Sequence, residues 1–315
     1  MTPKLTIIVP VYNRADRLPQ TLSTIAAAQQ VPLALILVDN GSSDDSWAIC
    51  QRFAAEHASE TFEITVLKEP QKGASRARNN GLSNCQTEWV YFFDSDDDMS
   101  GDFCKKIVGE LTEKGEQLDV LAFPVRQVVN GKMTVRAYQQ NARPEVHILN
   151  SMLSTVSVLY RTKWLKAQGG WNETLTTWDD WELGTRVLMA GPRMKWVTES
   201  AFHRLYVHDD SQTGDSFTTT YRKTLVAMEA VKDDAEKATL TAEERQRVML
   251  AMYFRARIMA GKLAHEGCTE GKAAYREMAE RCGDPCWWKK MWGWLLERYT
   301  SLGGRGAWRA ALALC

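Results

Sequence analysis

Apolar runs alternate with helical patterns through the first hundred residues. Residues 5–11, 33–38, 62–67 and 89–93 are stretches of aliphatic, β-branched and aromatic side chains, interrupted only by Pro10 and Glu63. That is the pattern of strands covered on both faces. Between them, residues 16–29, 44–57 and 74–84 read as helices. Strand, helix, strand in repetition implies a parallel sheet with right-handed crossovers. The middle of the chain predicts strands over 118–136 with a turn at Asn130-Gly131. Another strand is predicted over 156–160, a helix over 180–189, and strands near 194–197 and 201–207. From about residue 217 helical runs continue to the end, broken near Thr241, Gly267, Gly283 and Gly303-Gly304. The pattern predicts an α/β domain over 1–215, in halves of about 1–100 and 101–215, and a helical C-terminal extension over 216–315.

Composition leaves this picture in place. The chain has 315 residues, 44% hydrophobic and 25% charged, which argues against a disordered, collagenous or coiled-coil protein. No stretch approaches the ~18 apolar residues of a membrane-spanning helix. The run after Lys4 contains Pro10 and no small-residue cleavage site, unlike a signal peptide. A cytoplasmic location is therefore expected. The seven cysteines are scattered, as suits reduced thiols. Cys282 and Cys286 lack a nearby His or a second pair at ligand spacing, so they fall short of a zinc site. The 39 basic and 39 acidic residues cancel, which excludes a uniformly basic nucleic-acid binder. The cancellation hides a split. From Arg222 to Cys315 there are 17 basic and 12 acidic residues, or +5, leaving −5 for the rest.

In parallel sheets, ligands bind beyond the carboxyl ends of the strands. Those ends carry Tyr12-Asn13-Arg14, then Asp39-Asn40-Gly41-Ser42-Ser43-Asp44, then Gln71-Lys72-Gly73 followed by Arg76 and Arg78, then Asp94-Ser95-Asp96-Asp97-Asp98. Carboxylates packed this closely repel one another unless a cation neutralises them. Hard divalent cations such as Mg2+ or Mn2+ suit oxygen donors. The bland alternative is a solvated turn with Asp97 or Asp98 capping the next helix. Asp39 is placed to accept hydrogen bonds from a ring or ribose, or else forms an Asx turn with Ser43 or Asp44 as N-cap. Lys72, Arg76 and Arg78 are either solvated helix charges or hold a base and screen phosphates.

The order Ile8-Val9-Pro10-Val11-Tyr12-Asn13, Val38-Asp39-Asn40-Gly41-Ser42, Lys72-Gly73 to Arg78-Asn79, and Phe92-Phe93-Asp94-Ser95-Asp96-Asp97 resembles family 2 glycosyltransferases of the GT-A fold. Gly169-Gly170-Trp171-Asn172-Glu173 resembles the family's Gly-Gly-Phe-Asp-Glu segment. Trp178-Asp179-Asp180-Trp181-Glu182-Leu183 resembles its Glu-Asp-aromatic helix, and Tyr206-Val207-His208-Asp209-Asp210-Ser211 resembles its metal-ligating His segment. The likeness spans roughly residues 4–213 and stops before the helical tail.

The resemblance implies a nucleotide-sugar half at 1–100 and an acceptor half at 101–215. Pro10, Tyr12 and Asn13 would line the base pocket, and Asp39 would hydrogen-bond the base, usually uracil. Arg78, with Lys72 a weaker candidate, would contact base or phosphate. Asp94 and Ser95 would lie by the ribose or sugar. Asp96 and His208 would ligate Mn2+ or Mg2+, and Asp180 would be the general base. Two departures stand out: Asn40 replaces the usual second Asp, and Asp179 replaces the usual Glu. The implied chemistry is inverting transfer from a nucleotide sugar, a UDP-hexose, to a saccharide or lipid-linked saccharide in surface polysaccharide synthesis. Trp171, Trp178 and Trp181, with Asp179, would stack on or touch sugar, or else the tryptophans pack in the core. Rival readings are a sugar nucleotidyltransferase, which needs a Gly-rich basic loop where this chain has Tyr12-Asn13-Arg14, and a non-catalytic nucleotide-sugar binding module.

The tail adds a further feature. Five of the twelve Trp, at 287, 288, 292, 294 and 308, fall in the last 30 residues beside Lys289, Lys290, Arg298, Arg305 and Arg309. Residues 288, 291, 292, 295 and 299 form an apolar helical stripe. Such a helix suits a membrane surface, or docks on protein within the chain or on another subunit.

Overall fold

The computed structural model describes residues 2–114, 118–129, 131–135, 143–198, 202–206 and 217–315. His208 and Asn130 lie outside them. Two compact units form, each discontinuous in sequence. The first comprises Met1–Tyr138, Ser154–Thr176 and Pro192–His208; the second comprises Gln139–Leu153, Thr177–Gly191 and Asp209–Cys315. Two segments before residue 215 therefore belong to the helical unit.

In the first unit, strands β1 (Leu5–Val11), β2 (Leu33–Asp39), β3 (Phe62–Lys68) and β4 (Trp89–Phe92) pair in parallel in the order β3-β2-β1-β4. Helices α1 (Leu18–Ala28), α2 (Ser46–His57) and α3 (Ala74–Asn84) connect them. Alternate side chains Leu5, Ile7, Val9, Val11, Leu35, Leu37, Tyr91 and Phe93 share one core cluster, the period of two expected of a strand. Ile8 faces the other way. A Cβ on Gly81 of α3 would meet its Cγ2 at 2.5 Å, so the glycine lets α3 lie close on the sheet.

Past β4 the sheet continues with β5 (Val120–Ala122), β8 (Val158–Arg161) and β9 (Met194–Trp196), giving β3-β2-β1-β4-β8-β5-β9. Strand β8 runs antiparallel to both β4 and β5, so the sheet is mixed at this end. The strand expected over 156–160 starts later, because Thr155–Ser157 is a 3-10 turn in which Ser154 N donates to Ser157 Oγ at 2.9 Å. A small sheet pairs β10 (Phe202–Tyr206), β6 (Val125–Val129) and β7 (Lys132–Val135) in the order β10-β6-β7. Helices α4 (Phe103–Lys114) and α6 (Thr162–Ala167) were not anticipated by the periodicity reading. Phe103, Ile107 and Leu111 of α4 do recur at helical spacing and are buried.

The second unit holds α5 (Pro144–Asn150), α7 (Asp179–Met189), α8 (Phe217–Lys237), α9 (Ala242–His265), α10 (Thr269–Arg281), α11 (Trp287–Ser301) and α12 (Ala307–Leu314). Helix α9 packs against α5, α8, α10, α11 and α12. It is accordingly apolar around most of its circumference, with Val248, Phe254, Met259 and Leu263 buried. It starts at a capping box: Glu244 N donates to Thr241 Oγ1 at 3.2 Å, and Thr241 N donates to Glu244 Oε2 at 2.9 Å. No helix among the described residues is long and apolar enough to cross a membrane.

Candidate active site

The carboxyl ends of β1, β2 and β4 and the start of α3 bring the expected loops to one edge of the first unit. Asp39 ends β2 opposite Val11 of β1 and is only 3% exposed. Its Oδ2 accepts from Ser42 N at 3.3 Å. Its Oδ1 has no hydrogen-bond partner among the described residues. A buried carboxylate oxygen left unanswered is costly, and a ligand N–H at this edge would answer it.

Asn40 explains the departure from the family's usual Asp. Its Nδ2 donates to the carbonyls of Glu69 at 3.1 Å and Gln71 at 2.8 Å, while its Oδ1 accepts from Gly73 N at 2.7 Å. A carboxylate has no N–H for those two carbonyls. The amide thus ties the β2 loop to the entry of α3. Asn13 plays a similar bracing part. With φ at 48°, it donates from N to Ser42 Oγ at 3.0 Å and accepts at Oδ1 from Ser43 N at 2.8 Å. It ties the β1 loop to the β2 loop. Asp44 sits just outside α2, whose N-cap is Asp45, and accepts from Ala15 N and Ser46 N, both at 3.0 Å.

Tyr12 is 44% exposed. Lys72 Nζ donates to its Oη at 3.2 Å and lies 5.3 Å from the ring centroid. An exposed aromatic face beside a buried acceptor can seat a heterocyclic base. Pro10 is half-buried in β1, and Ser95 is buried, its carbonyl accepting from Thr21 Oγ1 at 3.1 Å.

The acidic loop is partly neutralised from within. Arg78 Nη2 pairs with Asp94 at 3.0 Å, and Arg14 Nη2 pairs with Asp96 at 3.3 Å. Arg14 stands 82 residues from Asp96 in the chain, and only the fold brings the two together. Asp97 is buried and accepts from Tyr206 N at 2.9 Å. Burial, and then the charges of Asp94, Asp96 and Asp98, hold its carboxyl well above the usual carboxylate range. Asp98 accepts from Tyr206 Oη at 2.7 Å. Neither carboxylate caps the next helix, which starts at Phe103.

A hard divalent cation fits this loop on chemical grounds. The loop's donors are carboxylate oxygens, and the charges of Asp94, Asp96 and Asp98, which add to burial in raising Asp97, are what a cation would relieve. Among the described residues, no group of three or more His, Cys, Asp and Glu side chains is arranged to hold a metal ion by itself.

The segment Gly169-Gly170-Trp171 is fastened to α3. Asn79 Nδ2 donates to Trp171 O, and Trp171 N donates to Asn79 Oδ1, both at 2.9 Å. Gly170 has φ +66°, and a Cβ there would meet Asn79 Oδ1 at 2.6 Å. Trp171 corrects an expectation. It is 2% exposed, edge-on to Phe92 at 5.1 Å, with Arg78 4.5 Å from its ring centroid. Its ring is interior and offers no face to a sugar. Its indole N–H has no acceptor among the described residues.

In the second unit, Trp178 caps α7 at φ 56°. Asp179, Asp180 and Glu182 form the first turn, where the helix dipole favours negative charge. Asp179 Oδ1 accepts from Asp180 N at 3.1 Å. Trp181 is a further correction: it is buried, its indole N–H donating to Ile148 O at 3.2 Å. Of the three tryptophans near the family segments, Trp178 alone is half-buried. Its ring lies 4.4 Å from the Arg255 guanidinium, which also sits 5.0 Å from Trp181 and donates to Ile148 O at 2.9 Å. Burial pulls Arg255 down to about 10, with Tyr275 and Asp180 acting in the opposite direction. Sequence motifs did not identify Arg255, which comes from the tail. Glu182 is fully buried against Arg186 at 2.6 Å, and burial pushes its carboxyl up to about 7.

Pre-mycofactocin glycosyltransferase of Mycobacterium tuberculosis is 28% identical over 206 residues, covering 61% of this chain and 40% of that protein. Poly(ribitol-phosphate) beta-N-acetylglucosaminyltransferase TarS of Staphylococcus aureus is 24% identical over 249 residues, covering 75% of this chain and 42% of TarS. The matches thus span less than half the length of these relatives. The crystal structure of TarS 1-349 with UDP superposes with a TM-score of 0.62 at 20% identity, covering 88% of this chain and 90% of that one. The mannosyltransferase PcManGT of Pyrobaculum calidifontis, solved with GDP-Man and Mn2+, gives 0.59 at 16% identity, covering 100% and 84%. These likenesses establish the GT-A fold. The sequence profile of Glycosyl transferase family 2 matches residues 6–168, more than half of the 315, and the chain belongs to that family.

Proposed function

We propose that this protein transfers a hexosyl group, with inversion, from a UDP-sugar to a hydroxyl of a saccharide or lipid-linked saccharide in surface polysaccharide synthesis. The observation that carries the donor half is Asp39: a buried carboxylate at the strand edge with one oxygen unanswered among the described residues, beside the exposed Tyr12 ring. Uracil supplies a ring N–H for Oδ1 and a flat face for Tyr12. TarS, solved with UDP, supports that base. Lys72 and Arg78 add positive charge for the diphosphate, and Asp94 and Ser95 lie on the loop that would border the ribose and sugar.

A divalent cation, Mn2+ or Mg2+, held by Asp96 and by His208 would supply charge stabilisation at the departing diphosphate. PcManGT, solved with Mn2+, supports this. Asp180 takes the proton of the acceptor hydroxyl as its oxygen bonds to the anomeric carbon, and the bond from that carbon to the diphosphate breaks. One base and one displacement invert the anomeric centre. Trp178, with Asp179, would border the acceptor. The surface-polymer acceptor is supported by TarS, named for a poly(ribitol-phosphate) acceptor.

The test is UDP release from a panel of UDP-sugars with Mn2+ and a saccharide acceptor. Asp180→Asn should lower turnover on the order of 10²- to 10⁴-fold while leaving donor binding intact. Unchanged turnover would remove Asp180 as the base. Asp96→Ala should abolish the response to Mn2+; a retained response would misplace the metal.

A further inference from the structure

Helix α11 is seated by its polar face. The side buried on the unit is Gly293, Leu296, Glu297 and Thr300. Glu297 lies between Arg257 at 2.8 Å and Arg276 at 2.5 Å. Close approach to α9 is made by glycines: a Cβ on Gly261 would meet Thr300 Oγ1 at 1.9 Å, and one on Gly293 would meet Tyr253 Oη at 2.6 Å. The apolar stripe points away. Trp288, Met291, Trp292, Leu295 and Tyr299 are exposed, and Trp287 is 75% exposed. A helix anchored through an ion-paired carboxylate and glycines, with its tryptophans in water, is organised around a second, apolar surface.

Charge identifies the occupant. From Asp284 onward, Lys289, Lys290, Arg298, Arg305 and Arg309 stand against two acidic residues, Asp284, which pairs with Lys290, and Glu297, which is buried and paired with Arg257 and Arg276, leaving a surplus of +3. A second copy meeting this face symmetrically would bring like charges together. An anionic bilayer matches both features: tryptophan rings suit the boundary between headgroups and acyl chains, and lysine and arginine reach the headgroups. We infer that α11 lies in the surface of an anionic membrane with its Trp287–Tyr299 stripe inserted. The lipid-linked acceptor proposed above gives this surface its use, but vesicle binding is read without turnover, so either reading can fail alone.

The experiment is flotation of the full chain with phosphatidylcholine vesicles, with and without phosphatidylglycerol. One variant carries Trp288→Gln, Trp292→Gln and Leu295→Gln; another carries Lys289→Glu, Lys290→Glu and Arg298→Glu. Five of the six sites are exposed and Lys289 is half-buried beside them, and far-ultraviolet circular dichroism with urea midpoints reports that both variants remain folded. Wild type should float with anionic vesicles, weakening with salt. The apolar variant should lose binding at least tenfold, and the charge variant roughly fivefold for each basic side chain lost. The inference is overturned if wild type fails to float, if the apolar variant binds equally, or if the same substitutions instead dissolve a dimer in sedimentation equilibrium.

Discussion

Glu297 offers the sharpest test of how the tail is held. It is 3% exposed. Oε1 accepts from Arg276 Nε at 2.7 Å. Oε2 faces Arg257 Nη2 at 2.8 Å as an ion pair without the alignment of a hydrogen bond. Arg257 keeps only 15% of its side-chain exposure, whereas Arg276 keeps 44%. Glu297→Ala would therefore strand one buried guanidinium and let the other return to water. Breaking a buried pair from one side costs about 3–5 kcal/mol. With only one cation stranded, the lower end, about 3 kcal/mol, is expected. Glu297→Gln keeps the shape and an acceptor for Arg276, so it should cost about half as much. Urea unfolding followed by circular dichroism reads both, as midpoint shifts at constant slope. A loss below about 1 kcal/mol for Glu297→Ala would mean that α11 is not anchored through this carboxylate.

Three further outcomes follow from geometry elsewhere. Glu182 has a folded-state carboxyl raised to about 7 from 4.5, so its contribution is fully present below about pH 4.5 and is lost as pH rises through about 7. Stability should fall by about 3 kcal/mol between about pH 5 and pH 8 on its account, and urea midpoints of Glu182→Gln should show that slope flattened. Gly170→Ala combines a positive φ with a 2.6 Å approach to Asn79 Oδ1; a loss of about 2 kcal/mol is expected, and an unchanged thermal midpoint would contradict the close fit. Arg255→Met removes the cation against Trp178 and the hydrogen bond to Ile148 O. It should cost about 2 kcal/mol and lower kcat more than it raises donor KM, whereas an equal rise in donor KM would count against an effect confined to α7.

Much was legible in the order of side chains. Strands β1, β2 and β4 are almost wholly buried apolar runs of four to seven residues, which have few alternatives between two covered faces, whereas β3 at the sheet edge carries Glu63 and Lys68 and is mostly half-exposed. Their boundaries lie within one residue of expectation for β1, β2, β3 and β4. The loops after them carry the family's motifs because ligand chemistry needs those residue types at strand ends. Helix α4 escaped notice because its apolar positions sit among charged ones, and α5 and α6 are only 7 and 6 residues long, too short for a periodic signal.

What local sequence determined about this protein was period: which residues form strands, which form helices, and which side chains share a stripe. Burial and pairing were decided by tertiary structure. Of the two readings open for Trp171 and Trp181, sugar contact or core packing, the fold made both interior, Asn40 became a brace because two carbonyls needed donors, and Arg14 found Asp96. The stripe on α11 was visible from residue spacing, but the opposite face was seated. The reason is physical: a helix with one apolar stripe does not record its partner, and a buried carboxylate between two arginines, with glycines at the crossing, set which side met α9.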